Sequence, residues 1–229
     1  MTKAHRHKAK TSRGRARRAP IPLRSHSHGN GNSVIKAVLF DFDGTLTVPG
    51  LIDFLAIKRA IRCPDNSTIL EFIASLSSEK ERKKAIAVLE EYENKAAKMA
   101  KPNENAEEVL GYLKGRQLKL GILTRNSMQS VKTALKSFRG ISLEDFNVVI
   151  TREDGLKLKP HPEGVFKAGR QFGINPCELA VVGDYIYDIQ AGQKAGALTV
   201  FIESNHTAKW PDPPADFTIK SLDELREIF

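Results

Sequence analysis

The sequence predicts an α/β protein, a parallel β-sheet covered by helices on both faces, with an all-helical segment inserted after the first strand. Three observations carry this. From residue 104 to residue 202, helix-length stretches alternate with apolar runs of strand length, and that alternation builds parallel sheets. The first apolar run, Val34-Ile35-Lys36-Ala37-Val38-Leu39-Phe40, is nearly continuous, as in a strand buried on both faces. Between residues 50 and 101 there is no strand candidate.

At the amino end, residues 1–33 hold nine Lys/Arg and no Asp or Glu. They are poor in apolar residues, so they cannot bury enough surface to offset chain entropy, and disorder is expected. The formal charge of +9 belongs to this tail, since the remaining residues carry 27 basic and 27 acidic side chains. A solvated tail is the plainest reading. Three functional ones stand beside it: an acid-free, Arg-rich transit peptide, a weak contact with nucleic acid or another anionic surface, and metal capture by His5, His7, His26 and His28. The tail has no aromatic residue to stack on bases, which weakens the single-strand version.

After the first strand, residues 51–63, 66–77 and 79–100 read as helices. Leu51, Phe54, Leu55, Lys58 and Ile61 lie close to one mostly apolar helical face. Ser78 precedes Glu79 and Glu81 as a helix start, and Lys101-Pro102-Asn103 is the stop. The Lys/Glu run 79–98 reads as a solvated face. Then come a helix over 104–117, a strand over 118–123, a helix over 128–138 and a short strand over 146–150. A helix over 162–172, a strand over 179–182, a helix over 185–195 and a strand over 198–202 complete the pattern. Trp210, in a Pro-rich loop, reads as a packing residue.

The residues at the strand ends are informative. The first strand ends at Asp41 and Asp43, the second at Thr124-Arg125-Asn126, and a later one at Gly183-Asp184, with Asp188 beyond; Lys159-Pro160 sits in a loop before a helix. In open parallel sheets, ligands bind at the carboxyl ends of the strands near the topological switch point. The topology therefore gathers four carboxylates, one hydroxyl and one ammonium in one crevice. Carboxylates so close repel, and a hard divalent cation such as Mg²⁺ resolves the repulsion. An ionised carboxylate can attack phosphorus without a base to activate it. A second carboxyl at i+2 shares its face and can hold the proton that the leaving oxygen needs. Gly44 permits a tight turn. The Thr124 hydroxyl and nearby backbone N–H groups can bind phosphoryl oxygens.

Asp41-Phe42-Asp43-Gly44-Thr45, Thr124, Lys159-Pro160 and Gly183-Asp184-Tyr185-Ile186-Tyr187-Asp188 resemble, in order, the four motifs of the haloacid-dehalogenase-like hydrolase superfamily. The resemblance spans residues 34 to about 205 and implies a Rossmann-like core over 34–48 and 102–229, with a small helical cap over 49–101. It makes Asp41 the nucleophile and Asp43 the acid/base. It makes Asp184 a metal ligand, with Asp43 contributing its backbone carbonyl and Asp188 an outer partner, so that Mg²⁺ sits among Asp41, Asp43, Asp184 and Asp188. Thr124 and Lys159 match phosphate-binding positions. An acid at position 43 favours phosphoryl chemistry, because a halide leaves without a proton. The nearest subgroup is the phosphoglycolate-phosphatase-like one, by Lys159-Pro160-His161-Pro162, although the insertion here looks shorter than that subgroup's cap.

The function expected is hydrolysis of a small phosphorylated metabolite. The alternatives are a phosphomutase, which the histidine-free insertion disfavours, and a binding module docking through the tail. Arg125 and Asn126 are candidate substrate contacts, against a plain helix entry with Asn126 or Ser127 as the cap. His161 reads as a loop residue, and Glu153 and Asp154 as turn formers. Cys63 and Cys177 have no metal-ligand spacing and read as thiols in a reducing compartment. With no apolar run of membrane length and no secretory h-region, a cytoplasmic location is expected, or an organellar one if the tail is a transit peptide.

Overall fold

The computed structural model describes residues 34–203 and 215–229. The tail 1–33 and the loop holding Trp210 lie outside the described residues, and so do the readings attached to them. The fold is α/β, built on one six-stranded parallel sheet. Strand β1 (Ala37–Phe40) lies between β2 (Lys119–Leu123) and β4 (Leu179–Gly183). Beyond β2 lies β3 (Val148–Ile150), and beyond β4 lie β5 (Leu198–Ile202) and β6 (Phe217–Ile219).

The apolar run of β1 is explained by its place. Val38 and Phe40 point into one layer, with α4 (Ala106–Gly115), α5 (Met128–Leu135) and the short α8 (Leu225–Ile228). Ala37 and Leu39 point into the other, with α6 (Glu163–Phe172) and α7 (Ile186–Ala195). All four residues are fully buried. From β1 the chain builds β2 and β3 on one side, then crosses to build β4, β5 and β6 on the other. The carboxyl ends of β1 and β4 therefore meet at the switch point.

The inserted segment forms three helices, α1 (Phe54–Ile61), α2 (Ile69–Ser75) and α3 (Glu79–Met99). They share an apolar cluster of their own: Ile57, Ile69, Ile73, Ala85 and Leu89. Asp53 caps α1 by accepting the Ala56 N–H at 2.9 Å, and Ser78 caps α3 by accepting the Glu81 N–H at 3.3 Å. The entry and exit of the insertion run side by side. Val48 N–H donates to the Lys101 carbonyl at 3.0 Å, and Asn103 N–H to the Leu46 carbonyl at 2.8 Å.

Several expectations are corrected here. The first helix starts at Phe54, so Leu51 precedes it and packs on the main core. Phe54 and Leu55 are 57% and 61% exposed, and Ile57 is the buried residue of α1. A short helix in a three-helix cluster has too few neighbours to cover its whole apolar stripe. The Lys/Glu run of α3 is not wholly solvated, because Glu93 is buried. Strand β6 and helix α8 add to the sequence pattern, both too short to show a period.

Candidate active site

Phe42 explains how the first motif is aimed. Its ring is buried in the core layer beside Phe40, and the flanking Asp41 and Asp43 are turned the other way, towards the crevice. Asp41 N–H continues the ladder, donating to the Val182 carbonyl at 2.8 Å, so the nucleophile candidate stands directly beside Gly183-Asp184.

Lys159 closes one side. Its ammonium donates to Asp41 Oδ1 at 2.5 Å, to Asp188 Oδ1 at 2.6 Å and to the Leu123 carbonyl at 2.7 Å. All three of its hydrogens are thus used. Burial opposes the charge on Lys159, but the Asp188 and Asp41 carboxylates outweigh it and hold the ammonium above its ordinary value. Asp188 also accepts the Tyr185 N–H at 3.2 Å, which fixes the entry to α7.

Among the described residues, Asp41, Asp184 and Asp188 offer carboxylate oxygens that all lie within 4.8 Å of one another. One ammonium faces three carboxyl groups. Burial first, then the charges of Asp41 and Asp188, push Asp184 up to about 8, with Lys159 opposing. Burial likewise pushes Asp188 up to about 6, against Lys159. The cluster's three carboxyl groups outnumber its one ammonium, and their all-oxygen donors suit a hard divalent ion such as Mg²⁺. The backbone makes room for the two carboxyl groups. A Cβ on Gly44 (φ +85°) would lie 2.3 Å from Asp184 Oδ2, and one on Gly183 would lie 2.3 Å from the Asp188 side chain.

Asp43 has a separate setting. It accepts a hydrogen bond from the Thr47 hydroxyl at 3.4 Å and another from the Asn126 amide. Burial, then the charge of Asp41, pushes its carboxyl up to about 7; Asn126 pulls it down and Glu93 adds to the rise. A carboxyl poised there can give and take a proton near neutral pH. Thr124 is buried at the end of β2, and its hydroxyl accepts the Asn126 N–H at 3.1 Å.

A family model described as haloacid dehalogenase-like hydrolase matches residues 52–202. An uncharacterized hydrolase of Saccharomyces cerevisiae is 34% identical over 198 residues, covering 85% of this chain and 90% of that protein. The chain belongs to the haloacid dehalogenase-like hydrolases. An N-acetylmuramic acid 6-phosphate phosphatase of Pseudomonas aeruginosa is 27% identical, over 85% of this chain and 94% of that one. Among solved structures, a subfamily IA hydrolase of this superfamily from Geobacter sulfurreducens superposes with a TM-score of 0.62 at 27% identity, covering 86% of this chain and 100% of that one.

In this haloacid dehalogenase-like hydrolase, the remaining candidates sort by contact. Ser127, and not Asn126, caps α5, accepting the Ser130 N–H at 3.1 Å. The Asn126 amide is thereby free to reach Asp43. Arg125 reaches the inserted helices: its Nη2 bonds Glu71 at 2.6 and 2.7 Å, and its guanidinium lies 5.4 Å from the Tyr187 ring centre. Its Nη1 also donates to the Lys159 carbonyl at 3.3 Å. Glu153 and Asp154 are turn residues that also bond neighbours, Glu153 accepting the Met128 N–H at 2.9 Å and Asp154 pairing with Lys167 at 2.5 Å. His161 stays a loop residue, half exposed beside Glu163.

Sequence reading missed Glu71, Glu93, Arg152 and the contact made by Tyr187. Only Glu93 left a signal. It stands in the stripe Ala85, Leu89, Glu93, Ala96, Ala97, where the helical period predicts burial. An acid at such a place needs a partner.

Proposed function

We propose that the protein is a Mg²⁺-dependent phosphatase that hydrolyses a small phosphomonoester through an aspartyl-phosphate on Asp41. The observation that carries this is the position of Asp43, a carboxyl poised at about 7, two residues from a carboxylate held by a buried lysine. In the first step an Asp41 oxygen bonds to phosphorus as the ester P–O bond breaks. The Asp43 proton goes to the departing oxygen. In the second, water attacks phosphorus, the Asp41–phosphorus bond breaks, and Asp43 takes the proton back. Thr124 binds a phosphoryl oxygen, and Lys159 turns the hydrogen it gives to Asp41 Oδ1 towards another as that carboxylate bonds to phosphorus. Asp41, Asp184, Asp188 and the backbone carbonyl of Asp43 would hold Mg²⁺, whose bound charge would offset that of the phosphoryl group.

Residues 49–101 act in this reading as a cap, covering the crevice and meeting the substrate's leaving group. The named Pseudomonas relative supports a phosphomonoester as substrate. The test is release of inorganic phosphate from a panel of phosphomonoesters with and without Mg²⁺, using the wild type and Asp41→Asn. The variant should stay folded and lose nearly all turnover. Undiminished Mg²⁺-dependent turnover by Asp41→Asn would sink the mechanism.

A further inference from the structure

Arg152 lies just beyond β3 and takes no part in the proposed chemistry, yet its side chain is only 8% exposed. Its Nη1 donates to both carboxylate oxygens of Glu93, from α3, at 2.6 and 2.7 Å. Its Nη2 reaches Glu90 at 3.3 Å. The same residue also grips the loop after β2. Nη1 donates to the Arg125 carbonyl at 3.4 Å, and the Arg152 backbone N–H donates to the Asn126 carbonyl at 3.2 Å. The peptide unit before Asn126 is therefore held by the Arg152 side chain, and the one after it by the Arg152 backbone N–H. The side chain carried between them is that of Asn126, whose amide donates to Asp43.

A pair needed only to attach the inserted helices would not have to bond the backbone of this loop. Buried charge–charge contacts hold one geometry firmly because any looser one leaves a charge unpaired. We infer that Arg152 and Glu93 are positioning residues, which hold Asn126 so that its amide orients the Asp43 carboxyl towards the leaving oxygen. Asn126 thus acts on the acid, and the inserted helices are linked to proton donation through Glu93. This rests on Asp43 being the proton donor of the proposed phosphatase.

Misaiming a general acid slows substrates in proportion to how badly their leaving group needs the proton. A loss confined to folding or to phosphate binding slows all substrates alike. The experiment compares kcat/KM for 4-nitrophenyl phosphate, whose leaving group needs little help, with that for phenyl phosphate, whose leaving group needs more. It uses the full chain with Mg²⁺, as wild type, Asp43→Asn, Asn126→Ala, and the paired variant Arg152→Gln/Glu93→Gln, which leaves no unpaired buried charge. The nitrophenyl-to-phenyl ratio should rise by ~10- to 100-fold in the paired variant and in Asn126→Ala, in the direction set by Asp43→Asn. Combining the two sets should add little, since both act on one group.

If Asp43→Asn raises the ratio while the paired variant lowers both substrates equally, the positioning role is overturned and the acid role survives. If Asp43→Asn leaves the ratio unchanged, both fall. Should the paired variant fail to fold, Glu93→Gln alone and Asn126→Ala carry the same comparison, with the same outcomes.

Discussion

Without a divalent ion, this protein's stability should fall as pH rises, and the structure sets the size of the effect. Asp43, Asp184 and Asp188 have folded values of about 7, about 8 and about 6, against 3.8 for an ordinary aspartate. A carboxyl raised in the folded state keeps a proton that the unfolded chain has already lost. Its contribution is full below the unfolded value and is lost as pH climbs through the folded one. Here the window runs from about 4 to about 8. Between pH 6 and 8 the folded chain holds on the order of one extra proton. At ~1.4 kcal/mol per proton per pH unit, the metal-free protein loses ~3 kcal/mol across that interval. For a chain of this size the melting temperature drops by ~6–12 °C. Saturating Mg²⁺ binds only the ionised cluster, so its stabilisation should grow over the same interval and flatten the profile. Differential scanning calorimetry at pH 6, 7 and 8, in EDTA and in MgCl₂, reads both. A metal-free melting temperature that rises with pH, or a magnesium gain equal at pH 6 and 8, would refute the reasoning.

Two smaller perturbations test the same frame. Gly44→Ala should be costly twice over, because its φ of +85° adds ~1–2 kcal/mol of strain and the new methyl would lie 2.3 Å from Asp184 Oδ2. Mg²⁺ affinity by calorimetric titration should weaken at least ~10-fold, and an unchanged affinity would mean Asp184 is not a ligand. Glu71→Gln should leave stability within ~1 kcal/mol by urea unfolding, since Glu71 is 50% exposed where it meets Arg125; a larger loss would mean this contact holds the inserted helices in place.

The candidate site was legible because each of its signals is local. A strand announces itself by an apolar run, and the carboxylates lie within three or five residues of its end, so Asp41, Asp43, Asp184 and Asp188 could be placed by topology alone. Thr124 and Lys159 came the same way, from strand and loop ends. The start of the first inserted helix was shifted by capping that the pattern alone did not resolve, at Asp53. The β6–α8 end was missed because a three-residue strand and a four-residue helix carry no period.

The contacts between insertion and core were illegible for a different reason. Glu71 and Arg125 are 54 positions apart, and Glu93 and Arg152 are 59 apart. No spacing rule reaches that far, and of the four only Glu93, in the buried stripe of α3, departs from the pattern of an ordinary surface charge. Burial separates the two pairs: Glu93 and Arg152 are 4% and 8% exposed, Glu71 and Arg125 50% and 22%. The buried pair is a fixed joint, since breaking it strands a charge in a medium that cannot solvate it. The exposed pair exchanges readily with water and ions. Helix α3 also packs Ala97 on the main core, so the inserted helices are tied firmly at the Glu93 end, beside Asn126, and only by an exchangeable pair at the Glu71 end, beside Arg125. On the proposed phosphatase reading, substrate access and proton donation would rest on different contacts, so changes around Glu71 would alter which ester enters without disturbing the proposed acid, Asp43.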